Sequence, residues 1–151
     1  MANTNFSGPT PAALTGLASR AHILLYIEDN LADLKLVEHV IARHPNVHLL
    51  TAVTGNSGIE IARQSHPDVI LMDINLPDIS GFKARQILRS DPTTARIPVI
   101  AISANATPLN IESGLEEGFF RYLTKPINLN EFMDALGAAL VSAEKPSARS
   151  K

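Results

Sequence analysis

The chain has 151 residues, 45% of them hydrophobic, with 13 basic and 15 acidic side chains and no cysteine. That length suits one domain; the formal charge of −2 carries neither a nucleic-acid footprint nor a polybasic membrane patch, and disulfides, thiolate metal sites and cysteine nucleophiles are excluded together. No apolar run is long enough to span a bilayer and residues 1–20 lack the pattern of a signal peptide, so a soluble cytoplasmic domain, without direct membrane contact, is expected.

Residues 1–20 and 143–151 are rich in small and polar residues and read as flexible tails or linker stumps around a domain over 21–142. Inside it, Ile23–Ile27 is an unbroken apolar run, as expected of a strand buried on both faces. Leu31–Arg43 follows as a helix with Leu34, Val37, Val40 and Ile41 on one side. Val47–Val53 is the second strand, and Ser57–Gln64 the second helix, with Ile59 and Ala62 inward. Val69–Met72 is a third strand, followed by a helix over Gly81–Ser90. Pro98–Ser103 is the fourth strand, and Thr107–Glu117 the fourth helix, with Pro108 in its first turn. Arg121–Thr124 and the helix Asn130–Leu140 complete the pattern. Five strands alternating with five helices predict an α/β fold with a parallel sheet covered on both faces. Right-handed crossovers bring all strand carboxyl ends to one edge, where ligands bind at the point of strand-order reversal.

The residues that end the strands therefore matter most. They are Glu28 and Asp29 after the first strand, Asp73 after the third, Ser103 at the fourth and Thr124-Lys125 at the fifth. Three carboxylates at one rim call for a bound cation or a raised pKa. An oxygen-only donor set favours a hard ion, and Mg²⁺ suits it. A lysine and a hydroxyl opposite complete a clamp for a phosphoryl group, and a carboxylate can act as nucleophile toward phosphorus. The set reads as phosphoryl transfer.

YIEDN at Tyr26–Asn30, LMDINLPDISG at Leu71–Gly81, AISA at Ala101–Ala104 and YLTKP at Tyr122–Pro126 resemble the motifs of response-regulator receiver domains (CheY-like), over about Ile23–Leu140. The intervals of 44, 30 and 22 residues between Asp29, Asp73, Ser103 and Lys125 are those of the family. The resemblance implies a (βα)5 flavodoxin-like fold with strand order 2-1-3-4-5. It implies Asp73 as phosphoacceptor from a kinase phosphohistidine, and Glu28, Asp29, Asp73 and the Asn75 backbone carbonyl as Mg²⁺ ligands. Ser103 becomes the switch hydroxyl, Lys125 the partner of the phosphoryl group, Tyr122 the aromatic that moves with Ser103, and Lys125–Pro126 a cis bond. Implied partners are a histidine kinase or histidine phosphotransfer protein, with a homodimer through the face of the fourth helix, fifth strand and fifth helix. Nucleic acid is not among them. The only catalysis implied is on the protein itself. Glu28 departs from the more frequent Asp by one methylene. YIEDN, ISAN and GFFRYLTKPI further resemble receivers at the C-terminus of hybrid histidine kinases.

Taken singly, these residues have plainer roles. Asp29, Asn30 and Asp33 suit a helix cap and first turn, Asp78 and Gly81 suit a turn, Ser103 suits an ordinary strand end, Lys125 suits a solvated surface position, and Tyr122 suits a half-buried ring that moves nowhere. The five histidines have no metal-ligand spacing. Of Phe119-Phe120, one is expected in the core, with the other either exposed as an interaction surface or buried as well. A haloacid-dehalogenase-like aspartyl-phosphate phosphatase needs a second Asp two residues after its nucleophile, where Asn75 stands. A flavodoxin-like cofactor binder needs a phosphate-cradling loop where EDNLAD is acidic. A phosphorylation-independent pseudo-receiver would not need the complete set.

Overall fold

The computed structural model describes residues 21–105 and 107–143; the tails expected at 1–20 and beyond 143 lie outside them. The strands are β1 (His22–Ile27), β2 (Val47–Ala52), β3 (Val69–Asp73), β4 (Val99–Ser103) and β5 (Arg121–Thr124). The helices are α1 (Leu31–Ile41), α2 (Gly55–Ser65), α3 (Gly81–Ser90), α4 (Pro108–Glu116) and α5 (Leu129–Ala143). All four strand pairings are parallel and the order is β2-β1-β3-β4-β5, so the order reverses between β1 and β3. No helix among the described residues is long and apolar enough to cross a membrane.

Alternation along the central strands supplies two cores. Leu24, Tyr26, Leu71, Ile100 and Ile102 pack under α1 and α5 with Leu34, Val37, Phe132 and Leu136. Leu25, Ile27, Ile70, Met72 and Ala101 face the other way, toward Ile59, Ala62, Ala84 and Leu88 of α2 and α3. Strands buried on both sides must be apolar along their length, and β3 is so over Val69–Met72; all five of its residues are buried, and Asp73 at its carboxyl end is the polar one.

Element ends differ from the sequence pattern where capping decides them. Helix α2 starts at Gly55, two residues early, because Thr54 caps it in a reciprocal box with Ser57 and the Asp78 carboxylate accepts the Gly55 and Asn56 N–H groups at 2.8 Å each. Asp78 thus ties two loops together rather than merely shaping its own turn. Helix α1 stops at Ile41, where the Ala42 cap N–H bonds back to Glu38 and Val40. Helix α5 runs on to Ala143, past the expected Leu140 and domain end at 142, since no breaker precedes Pro146. Phe119 and Phe120 go to opposite cores. Phe120 is half-buried, its ring 4.8 Å from the Arg121 guanidinium carbon, so neither phenylalanine is the exposed one.

Candidate functional site

The strand ends build the site by simple alternation. Tyr26 pairs with Leu71 in the register of β1 and β3, and each lies on the α1/α5 face. Two residues on, Glu28 and Asp73 keep that face and come together at the rim. Leu123 of β5 also packs there, which carries Lys125, two residues later, to the same side. Both acids are nearly withdrawn from solvent, Glu28 at 0% and Asp73 at 4% exposure.

Lys125 Nζ lies at the centre. It is 3.0 Å from Glu28 Oε1, 3.0 Å from Asp73 Oδ2 and 2.9 Å from Asp33 Oδ2. Burial disfavours its charge, but the hydrogen bonds to Asp33, Glu28 and Asp73 outweigh that and hold its pKa above the usual lysine value. Burial also pushes the Glu28 carboxyl up to about 7, with the neighbouring Asp73 adding to the rise and Lys125 and Tyr26 opposing it. Glu28 Oε1 further accepts the Tyr26 hydroxyl at 2.9 Å, and Oε2 accepts the Asn30 N–H at 3.2 Å.

Glu28, Asp29 and Asp73 each offer a carboxylate oxygen, all within 4.8 Å of one another. This donor set of three hard oxygens, with no histidine or thiolate, fits a divalent cation of the Mg²⁺ type. Asn75 is exposed beside it, and its N–H donates to Asp73 Oδ1 at 2.8 Å, steering the second carboxylate oxygen.

Ser103 and Tyr122 are placed differently. Tyr122 is in register with Ala101 and Ser103 with Thr124, a row on the α2/α3 side of the sheet, away from the face that carries Asp73. Ser103 is buried, and its Oγ accepts the Asn105 N–H at 3.0 Å. The Tyr122 ring is half-buried, edge-on to Phe119 at 6.4 Å between centroids. The Lys125–Pro126 peptide bond is cis. Asn30 does cap α1, its side chain accepting the Asp33 N–H at 2.9 Å, yet Asp33 is more than a first-turn acid because it reaches Lys125.

Asp33 and Tyr26 are the site residues that sequence reasoning missed. A signal existed for each. Asp33 sits in the first turn of a helix that starts at the rim, and Tyr26 is two residues before Glu28, hence on the same strand face.

A doubly wound parallel sheet carrying acids and a lysine at its switch point defines a class of phosphoryl-handling or nucleotide-handling domains. Comparison with known proteins narrows it. The family model for the response regulator receiver domain matches residues 24–137. Protein PilH of Pseudomonas aeruginosa is 32% identical over 117 residues, covering 78% of this chain and 96% of that protein. The polar-differentiation response regulator DivK of Brucella ovis is 33% identical over 120 residues, covering 80% and 97%. Among solved structures, the receiver domain of sensor histidine kinase PA1611 from Pseudomonas aeruginosa, with a magnesium ion coordinated in its active-site cleft, superposes with a TM-score of 0.72 at 28% identity, covering 80% of this chain and 98% of that one. The Ssk1 receiver domain of Saccharomyces cerevisiae, solved with the histidine phosphotransfer protein Ypd1, shares the fold at a TM-score of 0.66 and 24% identity, covering 75% and 84%. The chain belongs to the response regulator receiver domain family, the signal-receiving module of two-component signalling.

Proposed function

We propose that this domain accepts a phosphoryl group onto Asp73 from the phosphohistidine of a histidine kinase or histidine phosphotransfer protein. The observation that carries the reading is the placement of Lys125 Nζ at 3.0 Å from Asp73 Oδ2, beside three oxygens that fit a divalent cation. An Asp73 carboxylate oxygen forms the new P–O bond as the P–N bond to the donor imidazole breaks, and the departing imidazole nitrogen takes a proton from solvent. Lys125 neutralises charge on the phosphoryl oxygens. Glu28, Asp29, Asp73 and the Asn75 carbonyl would hold Mg²⁺, which when bound screens the negative charges that meet during transfer. The Asn75 N–H keeps Asp73 Oδ1 oriented while Oδ2 faces the lysine.

The added charge, about −1.5 to −2 for a phosphoryl group, shifts a two-state equilibrium through Ser103 and Tyr122. Their row on the α2/α3 side of the sheet is where such a signal would leave the acidic rim. Tyr122 also lines a shallow groove with Ile111, Arg121, Leu123, Glu131 and Asp134, so its movement would alter the α4-β5-α5 face offered to partners, a second copy included. Such a module works in the cytoplasm, alone or within a hybrid kinase.

The test is incubation with beryllofluoride or acetyl phosphate plus Mg²⁺, comparing wild type with Asp73→Asn. Wild type is expected to take up the group and Asp73→Asn to take up none. No uptake by wild type, or equal uptake by both, overturns the proposal.

A further inference from the structure

We infer that Tyr26 is a positioning residue of the phosphoacceptor site, acting through Glu28 to hold a longer-than-usual acidic ligand in place for a divalent cation. The inference rests on the receiver reading above and concerns this chain's own pairing of Tyr26 with Glu28.

Tyr26 is fully buried near the carboxyl end of β1, in the core cluster that also holds Leu24, Leu34, Leu71 and Phe132. A phenol in such a place needs a partner, because an unpaired buried hydroxyl is costly where phenylalanine would pack without penalty. The partner is Glu28 Oε1, at 2.9 Å. Glutamate has one more rotor than aspartate, and each free rotor must be frozen before the carboxylate can serve a fixed ligand geometry. Three donors freeze it here: the Tyr26 hydroxyl and Lys125 Nζ on Oε1, and the Asn30 N–H on Oε2.

These donors are not equivalent. Lys125 is shared with Asp33 and Asp73, and it is the group that an incoming phosphoryl would claim. Once it turns to that charge, Tyr26 is the side-chain donor that still holds Glu28. The hydroxyl comes from below the rim, out of the core, so it restrains the carboxylate without occupying the solvent side where a cation enters. The extra methylene at position 28 and the tyrosine at position 26 thus form one device.

The experiment is Mg²⁺ binding by calorimetry on the full chain as wild type, Tyr26→Phe, Glu28→Asp and the double variant, with circular dichroism and thermal melts confirming that each is folded. Tyr26→Phe removes one oxygen and keeps the ring. It is expected to weaken Mg²⁺ binding about three- to tenfold, the effect of one hydrogen bond. In the Glu28→Asp background, where the shorter acid no longer reaches the phenol, the same change is expected to leave affinity unaltered. A melting temperature lowered equally with and without Mg²⁺, at unchanged affinity, would mean a structural hydroxyl only and overturns the inference. Equal weakening in both backgrounds overturns it too. Wild type that takes up beryllofluoride with Mg²⁺ while Tyr26→Phe binds the ion normally defeats this inference alone; wild type that binds no Mg²⁺ defeats it together with the receiver reading.

Discussion

The ring of Tyr122 occupies the place that a side chain at position 114 would fill. A Cβ built on Gly114 of α4 would run into Cδ2 and Cε2 of that ring, and Gly114 is the buried residue of the helix. Replacing it with alanine gains helix propensity, roughly 1 kcal/mol, but overpacking costs about 1–3 kcal/mol. Gly114→Ala is therefore expected to lower stability by about 1 kcal/mol and to change the near-ultraviolet tyrosine signal. In a Tyr122→Ala background the obstruction is gone, and the same substitution is expected to raise the melting temperature. A loss of stability in both backgrounds would show that the contact is not the cause.

Lys125 compensates three carboxylates at once. Lys125→Met keeps most of the aliphatic stem and leaves those acids facing one another, at an expected cost of about 3 kcal/mol, the low end for breaking a buried pair. Mg²⁺ should restore a larger share of stability to the variant than it adds to wild type, because the cation then supplies the missing positive charge. Urea denaturation with and without Mg²⁺ measures both quantities. Equal gains in the two proteins would count against a cation site at these acids.

Asp78 gives the fold a pH dependence. Burial raises its pKa, but the N–H groups of Asn56, Gly55 and Ile79 together outweigh this and hold the carboxyl below its usual value of 3.8. A carboxyl depressed in the folded state contributes stability that is complete above the unfolded value and lost as pH falls through the folded one. Asp78→Ala is expected to cost about 1 kcal/mol near pH 7, the usual worth of an N-terminal cap. The gap from wild type should narrow as pH falls below about 4. Urea titrations at pH 7, 5 and 3 follow it; a gap independent of pH would assign the loss to packing.

Gly118 sits at a φ of 104°, outside the range of L side chains, and a Cβ there would meet the Arg85 guanidinium. Its carbonyl accepts from Arg85 Nη2 at 2.8 Å, and the guanidinium carbon lies 5.7 Å from the centre of the Phe119 ring. Gly118→Ala is expected to destabilise by about 2 kcal/mol, from backbone strain and the displaced arginine together. Combining it with Arg85→Ala should relieve the steric part only. Thermal melts of the single and double variants separate the two contributions, and a neutral Gly118→Ala would refute the strain.

Much of this molecule is legible in its sequence because strands buried on both faces must be apolar throughout, and runs such as Val69–Met72 have no other use in a chain of this size. The rim acids were legible for the same reason: a carboxylate directly after such a run can only sit at the strand's end. Tyr26 was not, since a tyrosine inside an apolar run reads as core until its hydroxyl is seen to meet Glu28. Asp33 was not, since a first-turn acid explains itself through the helix dipole. The start of α2 is not legible locally, because the acceptor for its first N–H groups, Asp78, lies more than twenty residues away.

The sequence by itself determined the alternation of five strands and five helices, hence the sheet, its covered faces and the edge on which Glu28, Asp29, Asp73, Ser103 and Lys125 end their strands. Only the tertiary structure decided how those residues are shared out. Strand register and period-two alternation send Glu28, Asp73 and Lys125 to the α1/α5 face with Asp33 and Tyr26, and leave Ser103 and Tyr122 on the other. Which side of a sheet a residue takes depends on its neighbours' register, and that is set by packing across the fold rather than by any stretch of chain alone.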